Sequence, residues 1–82
     1  MSETERGVQV ERRKNETLER AIGRTVCNVR EGKHLTTTEL ANLVGISQAQ
    51  ISRLENGRQG FRSGTLARIA RELGVELVVA YG

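Results

Sequence analysis

The chain has 82 residues, which suffices for one small domain with a core of modest stability. Its formal net charge of +3, from 13 Lys and Arg against 10 Asp and Glu, is too small to establish a polyanionic partner by itself. A single cysteine, Cys27, excludes an internal disulfide, and no apolar run is long enough for a secretory signal or a membrane span, so a cytoplasmic domain is expected.

The first fifteen residues are highly charged and carry few large apolar side chains. Val8 and Val10 alone cannot anchor such a segment to a core, so residues 1–15 are predicted to form a flexible basic arm. The basic cluster at residues 12–14 has two interpretations, a solvated run or a nucleic-acid contact. A solvated run is favoured, because short charge runs are usually just solvated.

The next residues carry the pattern of two helices. Apolar residues recur from Leu18 to Val29 at spacings of four, four and three, which marks one face of a helix. That helix is predicted to end near Gly32. Thr36 and Glu39 then have the spacing of a capping box, in which each side chain bonds the backbone N–H of the other residue, so a second helix is predicted to begin there.

A third helix follows the second after a very short turn. Gly45 suits the left-handed conformation that commonly ends a helix, and Ser47 and Gln50 repeat the capping-box spacing immediately after it. Gly57 is predicted to end this third helix. The two helices are therefore short and separated only by Gly45–Ile46–Ser47.

The remaining residues are predicted to form a fourth helix and a strand. Ser63 is the expected cap of a helix whose apolar residues follow an i, i+3, i+4, i+7 stripe up to Leu73. Alternating and β-branched residues in the segment 75–82 favour a strand. No second strand candidate is evident, so this strand must either pair with a second molecule or lie against the helices without a ladder. Pairing with a second molecule is expected, because it leaves no exposed strand edge. The candidate dimerisation residues are Val75, Leu77, Val79 and Tyr81.

The third predicted helix has one face that the core does not need. At about 100° per residue, Ile51 and Leu54 fall together on the core side. The side chains opposite are short or carry hydrogen-bonding groups, and none is acidic. Glutamine can bond adenine and arginine can bond guanine, while the alternative is an ordinary solvated face. This outward face contains Gln48, Ala49, Ser52, Arg53 and Asn56.

Two short helices joined by so tight a turn are typical of a helix-turn-helix motif, whose second helix enters the DNA major groove by its N-terminal end. Arg53, Arg58 and Arg62 lie on or just beyond that second helix, and Glu55 is the only acid among them. Arginines at these places are suited to phosphate contacts, which fix register without reading sequence.

The stretch RTVCNVREGKHLTTTELANLVGISQAQISRLENGR resembles the Cro/C1-type (XRE) family of helix-turn-helix regulators, which includes phage repressors and bacterial antitoxins. The resemblance runs from about Ile22 to Val75 and is most specific in ELA, GIS and ISRLENG. It implies an all-α, compact four- to five-helix, lambda-repressor-like DNA-binding domain with a short C-terminal β-strand. The expected organisation is an arm at 1–15, the DNA-binding domain at 16–74 and a dimerisation strand at 75–82.

The resemblance also implies roles for individual residues. Gln48, Ala49, Ser52 and Arg53 fall at the family's base-reading positions. Thr37 stands where many members have a glutamine that touches phosphate, so that contact is expected to be weaker or differently made. Arg30 is placed opposite Glu55 as a structural ion pair. The complete candidate DNA-binding set is Thr37, Ser47, Gln48, Ala49, Ser52, Arg53, Asn56 and Arg58.

The implied function is sequence-specific binding of double-stranded DNA by a homodimeric transcriptional regulator, in most such proteins a repressor, at a near-palindromic operator. Two alternatives remain: an antitoxin that binds a toxin, because GFRSGTLARIARELGVELVV is similar to HigA and HipB, and a pure protein-interaction module that uses the C-terminal strand. The sequence contains no paired carboxylates, no Cys/His arrangement and no phosphate-binding glycine loop, so no enzyme, metal or cofactor is expected.

Overall fold

The computed structural model describes residues 7–58 and 62–79. Four helices and two short strands occur in this part of the chain, with no fifth helix, and the predicted fold class is confirmed. None of the described helices has the length and apolar character needed to cross a membrane. The elements in chain order are β1 (Gly7–Val10), α1 (Leu18–Gly32), α2 (Thr37–Val44), α3 (Gln48–Glu55), α4 (Ser63–Leu73) and β2 (Glu76–Val79).

Side-chain caps set the starts of α2 and α3. Thr36 and Glu39 bond each other's backbone N–H groups at 3.0 and 2.8 Å. Ser47 and Gln50 do the same at 3.1 and 3.0 Å. Both predicted capping boxes are therefore present, and α2 ends at Gly45 with a left-handed φ of 84°. Because each box satisfies two backbone donors, two helices of only eight residues can follow each other closely.

The start of α4 differs from its prediction. The helix begins at Ser63, and Arg62 occupies the cap position without a side-chain hydrogen bond, so the predicted cap by Ser63 is wrong by one residue. Docking against α2 holds α4 instead. Arg68 Nη1 donates to the carbonyl oxygen of Val44 at 3.1 Å, which brings a cation to the negative end of the α2 dipole. The predicted stop at Gly74 is present, with a φ of 70°.

One apolar core lies between the four helices and is closed by β1. The short α3 contributes only two side chains to it, so most of that helix remains outside. Among the described residues, the buried apolar side chains are Val10, Ala21, Ile22, Val26, Leu40, Ala41, Val44, Ile51, Leu54, Ile69 and Leu73.

The N-terminal segment contains a strand that the sequence did not reveal. β1 pairs in parallel with β2, from Gly7 opposite Glu76 to Val10 opposite Val79. Val10 is only 1% exposed. The prediction of a flexible arm is therefore wrong for residues 7–10, while residues 1–6 lie outside the described part of the chain. The prediction that the C-terminal strand has no partner within the chain is wrong for residues 76–79. Four residues with two valines are too short a pattern to identify a strand.

A hydrogen-bonded turn connects β1 to α1. Arg24 Nε and Nη2 donate to the two carboxylate oxygens of Glu16 at 3.1 and 3.0 Å, and Nη2 also donates to the Glu11 carbonyl at 2.7 Å. Glu16 accepts from the backbone N–H of Arg13 at 2.8 Å as well. Asn15 has a φ of 64°, a conformation that asparagine tolerates better than most residues. These bonds give the segment after β1 a defined path.

α1 crosses α3 at a glycine. A Cβ on Gly23 would lie 2.8 Å from the carbonyl oxygen of Glu55 and closer still to that of Leu54. Only a residue without a side chain permits the backbones to approach this closely. Gly32 on the same helix is different, because a Cβ there would meet nothing within 4 Å.

A buried ion pair joins α1 to α3 near the same crossing. Arg30 Nε lies 2.7 Å from Glu55 Oε2, and Arg30 Nη2 lies 3.1 Å from Glu55 Oε1. The two side chains are 10% and 7% exposed. Arg30 Nη1 also donates to the Leu35 carbonyl at 2.7 Å, so one guanidinium orients α3 and fixes the loop between α1 and α2. The bidentate pairing expected between Arg30 and Glu55 is present.

Replacing Gly23 by alanine should destabilise the chain, since the new Cβ collides with backbone atoms that cannot rotate away. We expect Gly23→Ala to lower the free energy of unfolding in urea by about 1–3 kcal/mol. Gly32→Ala is the matched control and should be neutral or stabilising by up to about 1 kcal/mol, because alanine favours a helix. Equal effects of the two substitutions would contradict the close approach.

Breaking the Arg30–Glu55 pair should be costly, because the remaining charge stays buried without a partner. We expect Arg30→Met or Glu55→Leu alone to lower the free energy of unfolding by on the order of 3 kcal/mol. The double variant should lose less than the sum of the two single losses. Urea is the suitable denaturant, since guanidinium salts screen charges. Additive losses would show that the two groups do not interact.

The turn after β1 should weaken in acid. The hydrogen bond from Arg24 holds the pKa of Glu16 at about 2, below its ordinary 4.5, so the folded chain binds fewer protons there than the unfolded chain. The stabilisation is complete above pH of about 4.5 and disappears as the pH falls through about 2. We expect the stability difference between wild type and Glu16→Gln to shrink across this window. In an Arg24→Met background, which lacks the bond that lowers this pKa most, the shrinkage should be smaller, because only the contribution of Arg13 remains.

Candidate nucleic-acid interface

The turn between α2 and α3 is closed by backbone hydrogen bonds. The N–H groups of Gly45 and Ile46 both donate to the carbonyl oxygen of Ala41, at 2.8 and 3.1 Å. Ile46 is half-buried and packs against the core. The turn therefore holds the two helices at a fixed angle, and the start of α3 projects from the domain at a defined place.

α3 divides into an inner and an outer face. Ile51 and Leu54 are 0% and 3% exposed and hold the helix to the core. Gln48, Ala49 and Arg53 are exposed, and Ser52 between them is half-buried. The residues predicted to read bases thus share one surface, with the two small side chains beside the arginine. Ala49 and Ser52, which lie between Gln48 and Arg53, are small enough to let the α3 backbone approach a grooved partner.

The N-terminal ends of α2 and α3 are joined through their side chains. Gln48 Nε2 donates to Thr37 Oγ1 at 3.1 Å. The sequence does not reveal this contact, because Thr37 and Gln48 belong to different helices whose separation no local pattern specifies. It leaves Gln48 with one amide N–H and its carbonyl oxygen for further bonds, and it leaves Thr37 with its hydroxyl proton. Ser47, exposed beside them, uses its hydroxyl oxygen to cap α3.

The C-terminal end of α3 is surrounded by cations. Asn56 is exposed, and its Nδ2 donates to the Ser52 carbonyl at 2.8 Å, so part of its amide is engaged within the chain. Arg20 Nη1 donates to the Asn56 carbonyl at 2.9 Å and brings a positive charge from α1 to this end. Arg58 lies exposed just beyond it. Sequence reasoning missed Arg20, because nothing local to α1 indicates a neighbour at the end of α3.

The outer face of α3 carries a positive charge and no negative charge. Glu55 is the only acid in α3, and it is turned inward against Arg30 and 7% exposed. Arg53, Arg58 and Arg20 remain exposed at or near the outer face. Such a surface attracts a polyanion. Within the described residues, no group of three or more His, Cys, Asp or Glu side chains is arranged to hold a metal ion.

Comparisons with known proteins agree with this geometry. The family model described as Helix-turn-helix matches residues 28–79. The ImmF control region 10 kDa protein of Bacillus phage phi105 is 38% identical over 58 residues, which cover 71% of this chain. The chain spans 64% of the length of that relative.

Solved structures agree as well. Two crystal structures of the clp gene regulator ClgR from Corynebacterium glutamicum share 33% identity with this chain at a TM-score of 0.72. Each match covers 73% of this chain, and the two cover 77% and 64% of the respective ClgR chains. The narrower likeness to HigA and HipB stays a prediction. Because the family match covers more than half of the sequence and the helices have the matching arrangement, the chain belongs to the Cro/C1-type helix-turn-helix family of DNA-binding regulators.

Proposed function

We propose that this protein binds double-stranded DNA sequence-specifically, as a homodimeric transcriptional regulator, with α3 in the major groove. The observation that carries the proposal is the outer face of α3, where an exposed glutamine, small residues and an exposed arginine stand together with no exposed acid. The major groove admits an α-helix and presents a different pattern of donors and acceptors for each base pair.

Arg53 and Gln48 are the proposed base readers. The guanidinium fork of Arg53 matches O6 and N7 of guanine, a contact that contributes about 1–3 kcal/mol of discrimination. Ala49 and Ser52 leave room beside Arg53 for the helix to approach the base edges. Gln48 stands at the N-terminal end of α3, which in such motifs lies deepest in the groove, and adenine is its best-matched base.

Thr37 acts on Gln48 as a positioning residue. With one N–H given to Thr37 Oγ1, the Gln48 amide keeps its second N–H for adenine N7 and its carbonyl oxygen for adenine N6. Thr37 keeps its own hydroxyl proton, which suits a phosphate oxygen. Thr37 thus links a contact with the DNA backbone to a contact with a base. This accounts for a threonine where many family members have a longer glutamine.

The backbone of the DNA is contacted around this reading surface. Arg58 and Arg20 are exposed near the C-terminal end of α3, and each provides a cation for phosphate. The hydroxyl oxygen of Ser47 accepts the capping hydrogen bond, so its proton remains available for a phosphate oxygen. Asn56 likewise keeps one of its two amide N–H groups. These contacts set the register of α3 without reading sequence.

The homodimer and the role in gene control are parts of the proposal. The names of the two relatives, a phage control-region protein and a gene regulator, support gene control as the general role. Two copies of α3 that read adjacent turns of one face would lie roughly 34 Å apart on a near-palindromic operator. A pure interaction module would use an unpaired C-terminal strand as its binding edge, but β1 already pairs with one edge of β2.

Single substitutions on α3 and just after it should distinguish residues that read bases from residues that contact phosphate. We expect Arg53→Ala and Gln48→Ala each to relax sequence preference at a different position of the half-site. Arg58→Ala should weaken binding to all sequences about equally and reduce the salt dependence by about one phosphate contact. Competition binding against a library of operator variants, selected first from random DNA, measures all three.

Thr37→Val tests whether Thr37 positions Gln48. The substitution keeps the shape of the side chain and removes the oxygen that accepts the hydrogen bond from Gln48. It should relax preference at the same base position as Gln48→Ala and leave the position read by Arg53 unchanged. If Arg53→Ala lowers affinity for every sequence alike, Arg53 is a phosphate contact and the assigned reading face is wrong.

A further inference from the structure

An open apolar groove lies between α4 and the beginning of β2. Its volume is about 400 Å³. It shares no residue with α2 or α3, so it is separate from the proposed DNA surface. Leu66, Ala70 and Arg71 line it from α4, and Val75, Glu76 and Leu77 line it from the other side. We call this surface the α4–β2 groove.

The charges of the groove are arranged in a self-complementary way. Arg71 on α4 and Glu76 on β2 are both exposed and stand on opposite walls. Neither makes an ion pair within residues 7–58 and 62–79. Across a two-fold axis, every contact occurs twice with the partners exchanged. A two-fold axis that brings Arg71 of one copy to Glu76 of the other forms the same ion pair a second time, with the two copies exchanged.

β2 also carries an exposed apolar side chain, next in sequence to Leu77 of the groove lining. Val78 is 41% exposed, and it lies on the same face of β2 as Glu76, because side chains alternate along a strand. β2 also has an edge without a backbone partner among the described residues, since only β1 pairs with it there. Open strand edges next to apolar side chains are the surfaces at which chains associate.

We propose that the α4–β2 groove is the homodimer interface, occupied by the same surface of a second copy of this chain. The inference rests on the homodimeric function proposed above and names the surface that makes the dimer. One cation and one anion on facing walls favour a second copy over an acidic or a basic peptide, because either peptide would meet a like charge. Val75 and Leu77, expected from the sequence to serve dimerisation, both line this groove, whereas Tyr81 lies outside the described residues.

Charge reversal tests this interface without DNA. Arg71→Glu places two acids at each contact and Glu76→Arg places two bases there, so each single variant should dimerise at least tenfold more weakly in sedimentation velocity. The double variant Arg71→Glu/Glu76→Arg restores both pairs and should dimerise like the wild type. An equimolar mixture of the two single variants should also form dimers, because both contacts of the mixed dimer are then complementary. This recovery by mixing excludes misfolding as the cause of the single losses.

Glu72→Arg is the matched control, since it reverses an exposed charge on α4 next to Arg71 but outside the groove lining, and it should leave dimerisation unchanged. A wild type that stays monomeric, single variants that stay dimeric, or a mixture that fails to recover would each overturn the proposal. A failure of this dimer interface can be distinguished from a failure of the proposed DNA binding. Arg53→Ala should remain dimeric, and monomeric Arg71→Glu should still bind bulk DNA at low salt.

Discussion

A helix of eight residues with two core side chains does not stay in place by itself, and α3 is held by the crossing of α1 over its C-terminal end. Gly23 brings the two backbones together, and the Arg30–Glu55 pair fixes their relative rotation. Arg30 also bonds the loop that leads into α2. The orientation of the whole helix-turn-helix therefore depends on one short region of α1, and every contact that α3 offers to a partner inherits that orientation.

The same ion pair has an electrostatic consequence for the outer face. Glu55 is the one acid of α3, and an exposed carboxylate at that end would repel a phosphate backbone. Its engagement by Arg30 turns it inward, and the arginines around the end of the helix face solvent unopposed by an acid from α3. The Arg30–Glu55 pair thus stabilises the fold and also keeps the negative charge of Glu55 away from the outer face of α3. The cost is desolvation of both groups, which is offset because the pairing is bidentate and Arg30 Nη1 also donates to the Leu35 carbonyl.

The two ends of the chain close the domain on the side of α4 and β2. β1 and β2 pair, Val10 enters the core, and the Arg24–Glu16 turn guides the chain from β1 into α1. The α4–β2 groove is built from residues that neither α2 nor α3 supplies. A surface for DNA and a surface for a second copy can therefore coexist on a domain of this size. A charge reversal on one surface leaves the other chemically intact.

The sequence by itself determined the helices, the caps of α2 and α3 and the outward face of α3. Capping boxes and left-handed glycines act within three or four residues. Apolar spacing over two turns decides which side of a helix is buried. A short stretch of sequence is therefore enough to predict these features. Resemblance to the family added the Arg30–Glu55 pairing. Only the tertiary structure decided β1, the bond between Thr37 and Gln48, the position of Arg20 and the need for glycine at residue 23. Each of these depends on a partner in another element, and β1 depends on a strand at the opposite end of the chain. Such contacts follow from how all the elements pack together, because no short stretch of sequence specifies the distance between two helices or the pairing of distant strands.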